Sequence, residues 1–182
     1  GLGNAVASRG ADHLRSEPWF EFSNDPQEGI RRYGIPETAF RLEYKGKGLV
    51  VKHFEEMAAV ADSTGVCKNT YNNMEVLDWD ETAELLQAAT GWELTGEEVR
   101  RSGERIVNLE RLFIAREGIT RKDDTLPARF LYEPMPEGSG SSTGAVLELD
   151  PMLDEYYHAR GWDVETGLPT QEKLDDLGLR QV

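Results

Sequence analysis

Apolar residues recur at helical spacing along several stretches of the chain. Between Leu49 and Ala61 the intervals are four, three, one and three residues, which describes one face of an amphipathic helix. The residues of this stripe are Val50, Phe54, Met57, Ala58 and Ala61. The polar residues between them, expected to face solvent, are Lys52, His53, Glu55 and Glu56. Gly65 follows as a stop signal.

Capping residues and glycines mark the ends of a second predicted helix, from Trp79 to Thr90. Asp78 or Asp80 is its expected cap, and Gly91 follows its last residue. Its expected apolar stripe consists of Leu85, Leu86 and Ala89.

The longest predicted helix runs from Thr95 to Glu117, just before Gly118. Thr95 and Glu98 form the pattern of a capping box, in which each side chain bonds the backbone of the other. Gly103 would let another helix approach closely, because glycine has no Cβ. Apolar residues recur at near-heptad spacing at Val99, Ile106, Leu109 and Phe113.

The remaining segments are less regular. Prolines and a Gly/Ser-rich run indicate loops over 119–144, and the first 45 residues are broken by proline and glycine into short pieces. A short helix is expected with Asp150 as its N-cap and Pro151 in its first turn, and a last one from Thr170 to Gly178. The pattern predicts an all-α domain with irregular, loop-rich connections.

The composition limits the kinds of partner that the chain is expected to bind. The chain has 182 residues, 20 basic and 34 acidic, for a net charge of −14. Such a charge argues against binding along nucleic-acid phosphates and against an anionic membrane surface. No apolar run approaches the roughly 20 residues of a membrane span, and no signal peptide opens the chain. The opening Gly1-Leu2-Gly3-Asn4, without Met, suggests a fragment of a longer protein.

The single cysteine, Cys67, excludes an internal disulfide and any complete thiolate site within this chain. It lies in the segment Asp62–Lys68, where an aspartate at a helix C-terminus is disfavoured by the helix dipole and therefore needs another partner. Lys68 beside Cys67 would favour a thiolate. The alternative is an inert cysteine after an ordinary helix end.

Two other segments are rich in charge. Arg9–Arg15 places two arginines around His13, which suits an anion and proton transfer near neutral pH, although a solvated surface turn is the alternative. Arg116–Pro127 is interpreted as structural, its charges holding a loop to the end of a helix.

In their order and spacing these motifs resemble the C-terminal region of the aldehyde ferredoxin oxidoreductase family. The resemblance runs from end to end and rests on Arg9-Gly-Ala-Asp-His-Leu, Asp62-Ser-Thr-Gly-Val-Cys-Lys, Gly103-Glu-Arg-Ile, Asp123-Asp-Thr-Leu-Pro-Ala-Arg and Leu149-Asp-Pro-Met-Leu-Asp-Glu-Tyr-Tyr. Family members are longer, and they hold tungsten between two pyranopterins beside a [4Fe-4S] cluster. The resemblance implies that residues 1–182 form a C-terminal helical domain, with 1–77 facing the cofactors and 78–182 completing the helical part and tail.

The resemblance also implies roles for individual residues. Cys67 matches the fourth cluster ligand, and Asp62 matches the aspartate that binds one pterin. Val66 stands where the family usually has leucine, with backbone contacts to the cofactor retained. His13 matches a histidine near the metal that orients substrate or moves a proton. The implied basic cofactor contacts are Arg9, Arg15 and Lys68.

The implied reaction is oxidation of an aldehyde to a carboxylic acid by a cytoplasmic enzyme, with ferredoxin as electron acceptor. The N-terminal remainder of the same enzyme would be the main partner, a homo-oligomer stays open, and molybdenum could replace tungsten. The chain alone would be inactive, because it can supply one cluster ligand. Two alternatives remain: a cofactor-free, stand-alone interaction domain, and a family member that reduces an aromatic thioester.

Overall fold

The computed structural model describes residues 1–179, apart from the side chains of Asn72 and Asn73, and is all-α as predicted. Its helices are α1 (Leu2–Val6), α2 (Pro26–Tyr33), α3 (Lys47–Thr64), α4 (Trp79–Thr90), α5 (Gly96–Arg116), α6 (Ala128–Tyr132), α7 (Leu149–Arg160) and α8 (Gln171–Leu177). Short 3-10 turns and one π-helical turn, Asn69–Asn73, lie between them. Positions 180–182 of the predicted domain lie outside the described residues.

Helix α3 is the centre of the fold and packs against both α5 and α7. All five residues of its predicted apolar stripe are buried. The expectation that the residues between them face solvent is wrong for Glu55 and Glu56, which are 4% and 2% exposed. Their burial is possible because both carboxylates pair with Arg160 of α7, and a buried charge is tolerated when it is paired.

Local signals set most helix ends where the sequence predicts them. The Asp78–Glu81 and Thr95–Glu98 capping boxes form, and Thr170 caps α8. The prediction that Asp150 caps α7 is wrong, because that helix begins at Leu149 after Glu148, and Pro151 still lies in its first turn.

The expected apolar stripes of α4 and α5 are confirmed only in part. Leu86 and Val99 pack inward as expected. Leu85, Ala89 and Phe113 are exposed instead. The inward residues are Thr82, Ala83 and Leu86 on α4, and Val99, Gly103, Val107 and Arg111 on α5. Polar members of these faces are admitted because they are bonded, as Tyr71 is to Thr82 with a 3.0 Å separation between their hydroxyl oxygens.

Gly103 allows the close approach of α5 to α3 that its position predicts. A Cβ at this residue would lie 2.5 Å from the carbonyl oxygen of Glu56, closer than any real Cβ contact. An alanine here would therefore push the two central helices apart.

The charges of the 116–127 segment have the structural use expected of them. Asp124 accepts two bonds from Arg111, at 2.9 and 2.7 Å, and both side chains are buried. This pair ties the loop after α5 back onto the helix. Within residues 1–179, no helix is long and apolar enough to cross a membrane.

Candidate functional site

A short 3-10 turn, His13–Arg15, lies against α3 and carries the first candidate residues. Asp12 caps the turn by accepting a bond from the N–H of Leu14 at 2.9 Å. Burial raises the pKa of Asp12, but the Leu14 N–H together with Arg9 and Lys68 outweighs it, so this pKa lies below its ordinary value. The charge of Lys68 thus reaches the turn from the other motif.

Arg15 is the buried residue of this turn, with 4% of its surface exposed. It donates to Asp62 at 3.5 Å and to Glu110 on α5 at 3.0 Å. The arginine therefore joins the turn to two long helices, α3 and α5.

Asp62, in the last turn of α3, connects the two cations of the site. Its two carboxylate oxygens contact different cations: one lies 3.5 Å from Arg15 and the other 3.1 Å from Lys68. These cations are the partners that an aspartate at a helix C-terminus requires. The Asp62 side chain remains 42% exposed, so its lone pairs are also open to an outside donor.

Gly65 ends α3 in the left-handed conformation, with φ of 74°, and turns the chain toward Cys67. Cys67 is a free, exposed thiol. The N–H of Thr70 donates to it, assisted by the Thr70 side chain and the N–H of Asn69, and these bonds lower the pKa of the thiol. The thiolate, which is the metal-binding form of cysteine, is thereby favoured.

The structure brings Arg15, Asp62 and Lys68 into one ion-paired group, but it leaves the other predicted residues outside those contacts. Arg9 is bonded to Asp12 of its own turn. His13 and Val66 are exposed, Val66 by 46%.

Sequence reasoning missed Glu110 and Ser8. Glu110 accepts from Arg15 at 3.0 Å and from the Ser8 hydroxyl at 2.8 Å. It therefore holds both of these side chains against α5. The role of Glu110 could have been suspected from its position on α5. It lies three residues after Val107, which is buried, and a carboxylate close to a buried helix face needs a cation as partner.

The described residues do not assemble a complete metal site. Across residues 1–179, without the side chains at 72 and 73, no three His, Cys, Asp or Glu side chains lie close enough to hold a metal ion together.

Comparison with known proteins gives matches along the whole chain. The family model described as "Aldehyde ferredoxin oxidoreductase, domains 2 & 3" matches residues 1–179. The tungsten-containing aldehyde ferredoxin oxidoreductases of Pyrococcus furiosus and Pyrococcus horikoshii are each 36% identical to this chain over 100% of its length. The chain covers 28% of the length of each relative.

A solved structure is similar as well. It is the active-site complex BamBC of benzoyl coenzyme A reductase in complex with 1,5-dienoyl-CoA. The match has a TM-score of 0.59 and 29% sequence identity, and it covers 72% of this chain and 19% of that one.

Proposed function

Because the chain belongs to the aldehyde ferredoxin oxidoreductase family, we propose that it forms the C-terminal helical part of a longer tungsten-containing oxidoreductase. In this proposal residues 1–77 face the cofactors, and 78–182 complete the helical domain and tail. The observation that carries it is the position of Asp62 and Cys67 on one exposed segment, with the buried Arg15 behind it.

The residues of this segment fit the cofactors of the family. A [4Fe-4S] cluster is held by four thiolates, and Cys67, exposed and with a lowered pKa, would supply one of them. The other three must come from elsewhere, since the chain has one cysteine. When bound, the tungstopterin supplies the two-electron redox chemistry, and the cluster carries the electrons away.

Around that ligand, the charged side chains suit a pterin. The half-exposed carboxylate of Asp62 would accept N–H bonds from the pterin edge, while Val66 would offer its backbone. Arg15 and Lys68 hold the Asp62 side chain in place, and Arg9 adds positive charge for a pterin phosphate. These cations offset the cofactor's charge in a chain that is otherwise strongly acidic.

The proposed reaction is oxidation of an aldehyde to a carboxylic acid, with ferredoxin as electron acceptor, in the cytoplasm, where thiols stay reduced. The exposed His13 would take up or release a proton at its imidazole as substrate reacts. The chain alone would show no aldehyde-dependent dye reduction, because it holds one ligand of one cluster.

A second candidate, reduction of an aromatic thioester, is favoured by the likeness to the benzoyl coenzyme A reductase complex. That likeness covers 72% of the chain, whereas the aldehyde oxidoreductases match all of it at 36% identity, which favours aldehyde as substrate. Dye-linked turnover by the longer enzyme with a panel of aldehydes, and separately with benzoyl coenzyme A, distinguishes the two.

The central test is Cys67→Ala in the longer enzyme. We expect it to lose cluster iron, measured per mole of protein together with the cluster's EPR signal. Ser63→Ala is the matched control, since Ser63 lies four residues before Cys67, in the last turn of α3, and its hydroxyl donates to the carbonyl of Ala59 at 2.8 Å within that helix. Unchanged iron in the Cys67 variant would overturn the assignment of Cys67 as a cluster ligand. Metal and pterin contents of the parent enzyme test the alternative of a cofactor-free interaction domain directly.

A further inference from the structure

Glu75 has an unusual backbone conformation, eight residues after Cys67. Its φ is 46°, in the left-handed region that L side chains rarely adopt. The turn closes there because the N–H of Met74 donates to Asn69 O at 3.1 Å and that of Val76 donates to Thr70 O at 3.4 Å. A strained residue of this kind persists only where its surroundings hold it.

Arg32 of α2 is the first of those surroundings. One of its terminal nitrogens donates to both carboxylate oxygens of Glu75. The arginine is itself fixed, since its Nε donates to Glu28 at 3.1 Å and its guanidinium lies 4.9 Å from the centre of the Phe20 ring. Glu75 is therefore bonded to a cation that is itself held by other contacts and cannot easily move with the carboxylate.

His53 of α3 contacts the same carboxylate from another side. Its Nε2 lies 3.5 Å from Glu75 Oε1. The imidazole is held edge-on among three aromatic rings, with centroid distances of 5.3 to 6.0 Å. Those rings belong to Tyr33, Phe54 and Trp79. The His53 side chain is 29% exposed, so the expectation that it is solvated holds only in part, and its Nε2 lies beside Glu75.

The segment that carries Cys67 is consequently fixed at three points. Lys68 pairs with Asp62 at 3.1 Å, the buried Tyr71 bonds Thr82 of α4, and Glu75 closes the far end. Cys67 lies exposed near the start of this segment. The outward position of its thiol thus follows from contacts made on the inner side of the chain.

Resting on the function proposed above, we infer that Glu75, held by Arg32 and His53, is a positioning residue for the cluster ligand Cys67. It fixes the thiol before the cofactor arrives and resists its displacement afterwards. Residues that orient metal ligands from outside the coordination sphere commonly change metal retention by one or two orders of magnitude.

The test is made in the longer enzyme with Glu75→Gln, which keeps the side chain's size but removes the charge that Arg32 grips. We expect iron loss to a chelator to become about tenfold faster, with a shifted cluster reduction potential and an unchanged far-UV circular dichroism spectrum. Glu37→Gln is the matched control, because Glu37 also pairs with a cation, Lys45 at 2.9 Å, but lies outside this segment. Its iron loss and potential should equal the parent's.

Arg32→Gln gives a second route, since it leaves Glu75 and its backbone untouched, and Arg32→Lys should restore part of the retention. If Glu75→Gln does not fold, Arg32→Gln decides the question. Parental iron loss and potential in the folded variants would overturn the inference. Cys67→Ala separates the two levels: if it keeps its iron, the proposed function fails and the inference with it, whereas if it alone loses iron, only the inference fails.

Discussion

Arg160 and Arg15 are both buried arginines that contact two carboxylates, but their partners differ. Arg160, fully buried, lies 2.6 Å from Glu55 and 2.8 Å from Glu56, and both of these side chains are buried. Arg15 pairs with Glu110 and Asp62, whose side chains are 31% and 42% exposed. The same ionic chemistry thus occurs once inside the helix core and once at its edge.

This difference separates a structural use from a binding use. Around Arg160 the carboxylate oxygens accept hydrogen bonds from groups inside the protein, as Glu55 does from the Tyr156 hydroxyl at 2.6 Å. Around Arg15 the arginine is hidden while its acceptors face outward, so a ligand with N–H groups could still reach Asp62. A charge removed from the first group should therefore affect folding, and one removed from the second should affect cofactor retention.

The largest effect is expected from Arg160→Met. Removing one partner of a buried ion pair leaves uncompensated charge, here on Glu55, and costs about 3–5 kcal/mol of unfolding free energy. Glu56 keeps Lys52 at 2.7 Å and Arg100 at 3.4 Å. Urea unfolding of the chain, followed by circular dichroism, measures this cost. Arg101→Met is the control, since Arg101 also joins two helices but through the half-exposed Asp176, and should cost about 0–1 kcal/mol. Equal losses of unfolding free energy in the two variants would contradict a special structural role for the buried ion pairs of Arg160.

Glu104→Gln should have a smaller effect that depends on pH. Burial raises the pKa of Glu104, but Lys52, Lys173 and Arg100 more than offset this, so its pKa lies below the ordinary 4.5. Its folded form is therefore stabilised above pH 4.5, and that stabilisation disappears as the pH falls through the lowered pKa. We expect the variant to lose about 2 kcal/mol at neutral pH.

The measurement is a series of urea titrations of parent and variant between neutral pH and the acid limit of folding. The deficit of the Glu104 variant should shrink on acidification. Glu117→Gln, an exposed change just after the same helix, should show no such trend. A deficit that stays constant with pH would mean that Glu104 is not held ionised by its neighbours.

These networks also show what the sequence could predict. The ends of α4 and α8 were predictable because caps and stop glycines act over three or four residues. The burial of Glu55 was not, because its cation is Arg160, more than 100 positions away. Periodicity assigns polar residues to solvent and has no means of recognising a distant partner.

The candidate site divides in the same way. Family motifs identified Arg15, Asp62 and Lys68, and the structure joins these three in one ion-paired group. Glu110 escaped notice because its role depends on the packing of α5 against the N-terminal turn. A motif records residue types in order, whereas a supporting side chain is defined by what it touches.

Asp62→Asn should leave stability within about 1 kcal/mol of the parent, because the Asp62 side chain is 42% exposed and the buried Arg15 keeps its pair with Glu110. In the longer enzyme it should nevertheless lower tungsten and pterin content, because an amide has one acceptor oxygen where the carboxylate has two, and its NH2 group donates instead of accepting. Metal analysis and extracted-pterin fluorescence measure this. Asp176→Asn is the control: its carboxylate is 51% exposed and paired with Arg101, yet far along the chain on α8. Equal pterin content in both variants would contradict a binding role for Asp62.

The smallest effect on folding is expected from Arg9→Ala. Arg9 is 51% exposed at its side chain and pairs with Asp12 of its own turn, so its loss removes a solvated local contact and should leave the unfolding free energy unchanged. Arg129→Ala, at an 80% exposed arginine paired with Glu133, makes an equivalent change elsewhere. Both variants should unfold like the parent, but the Arg9 variant alone should lose pterin faster at low salt. Added salt should speed its pterin loss less than the parent's, since salt screens a cation–phosphate contact that the variant no longer has. Matching pterin loss from both would mean that Arg9 is an ordinary surface charge. The proposed charged contacts to the cofactor would then be limited to Arg15, Asp62 and Lys68.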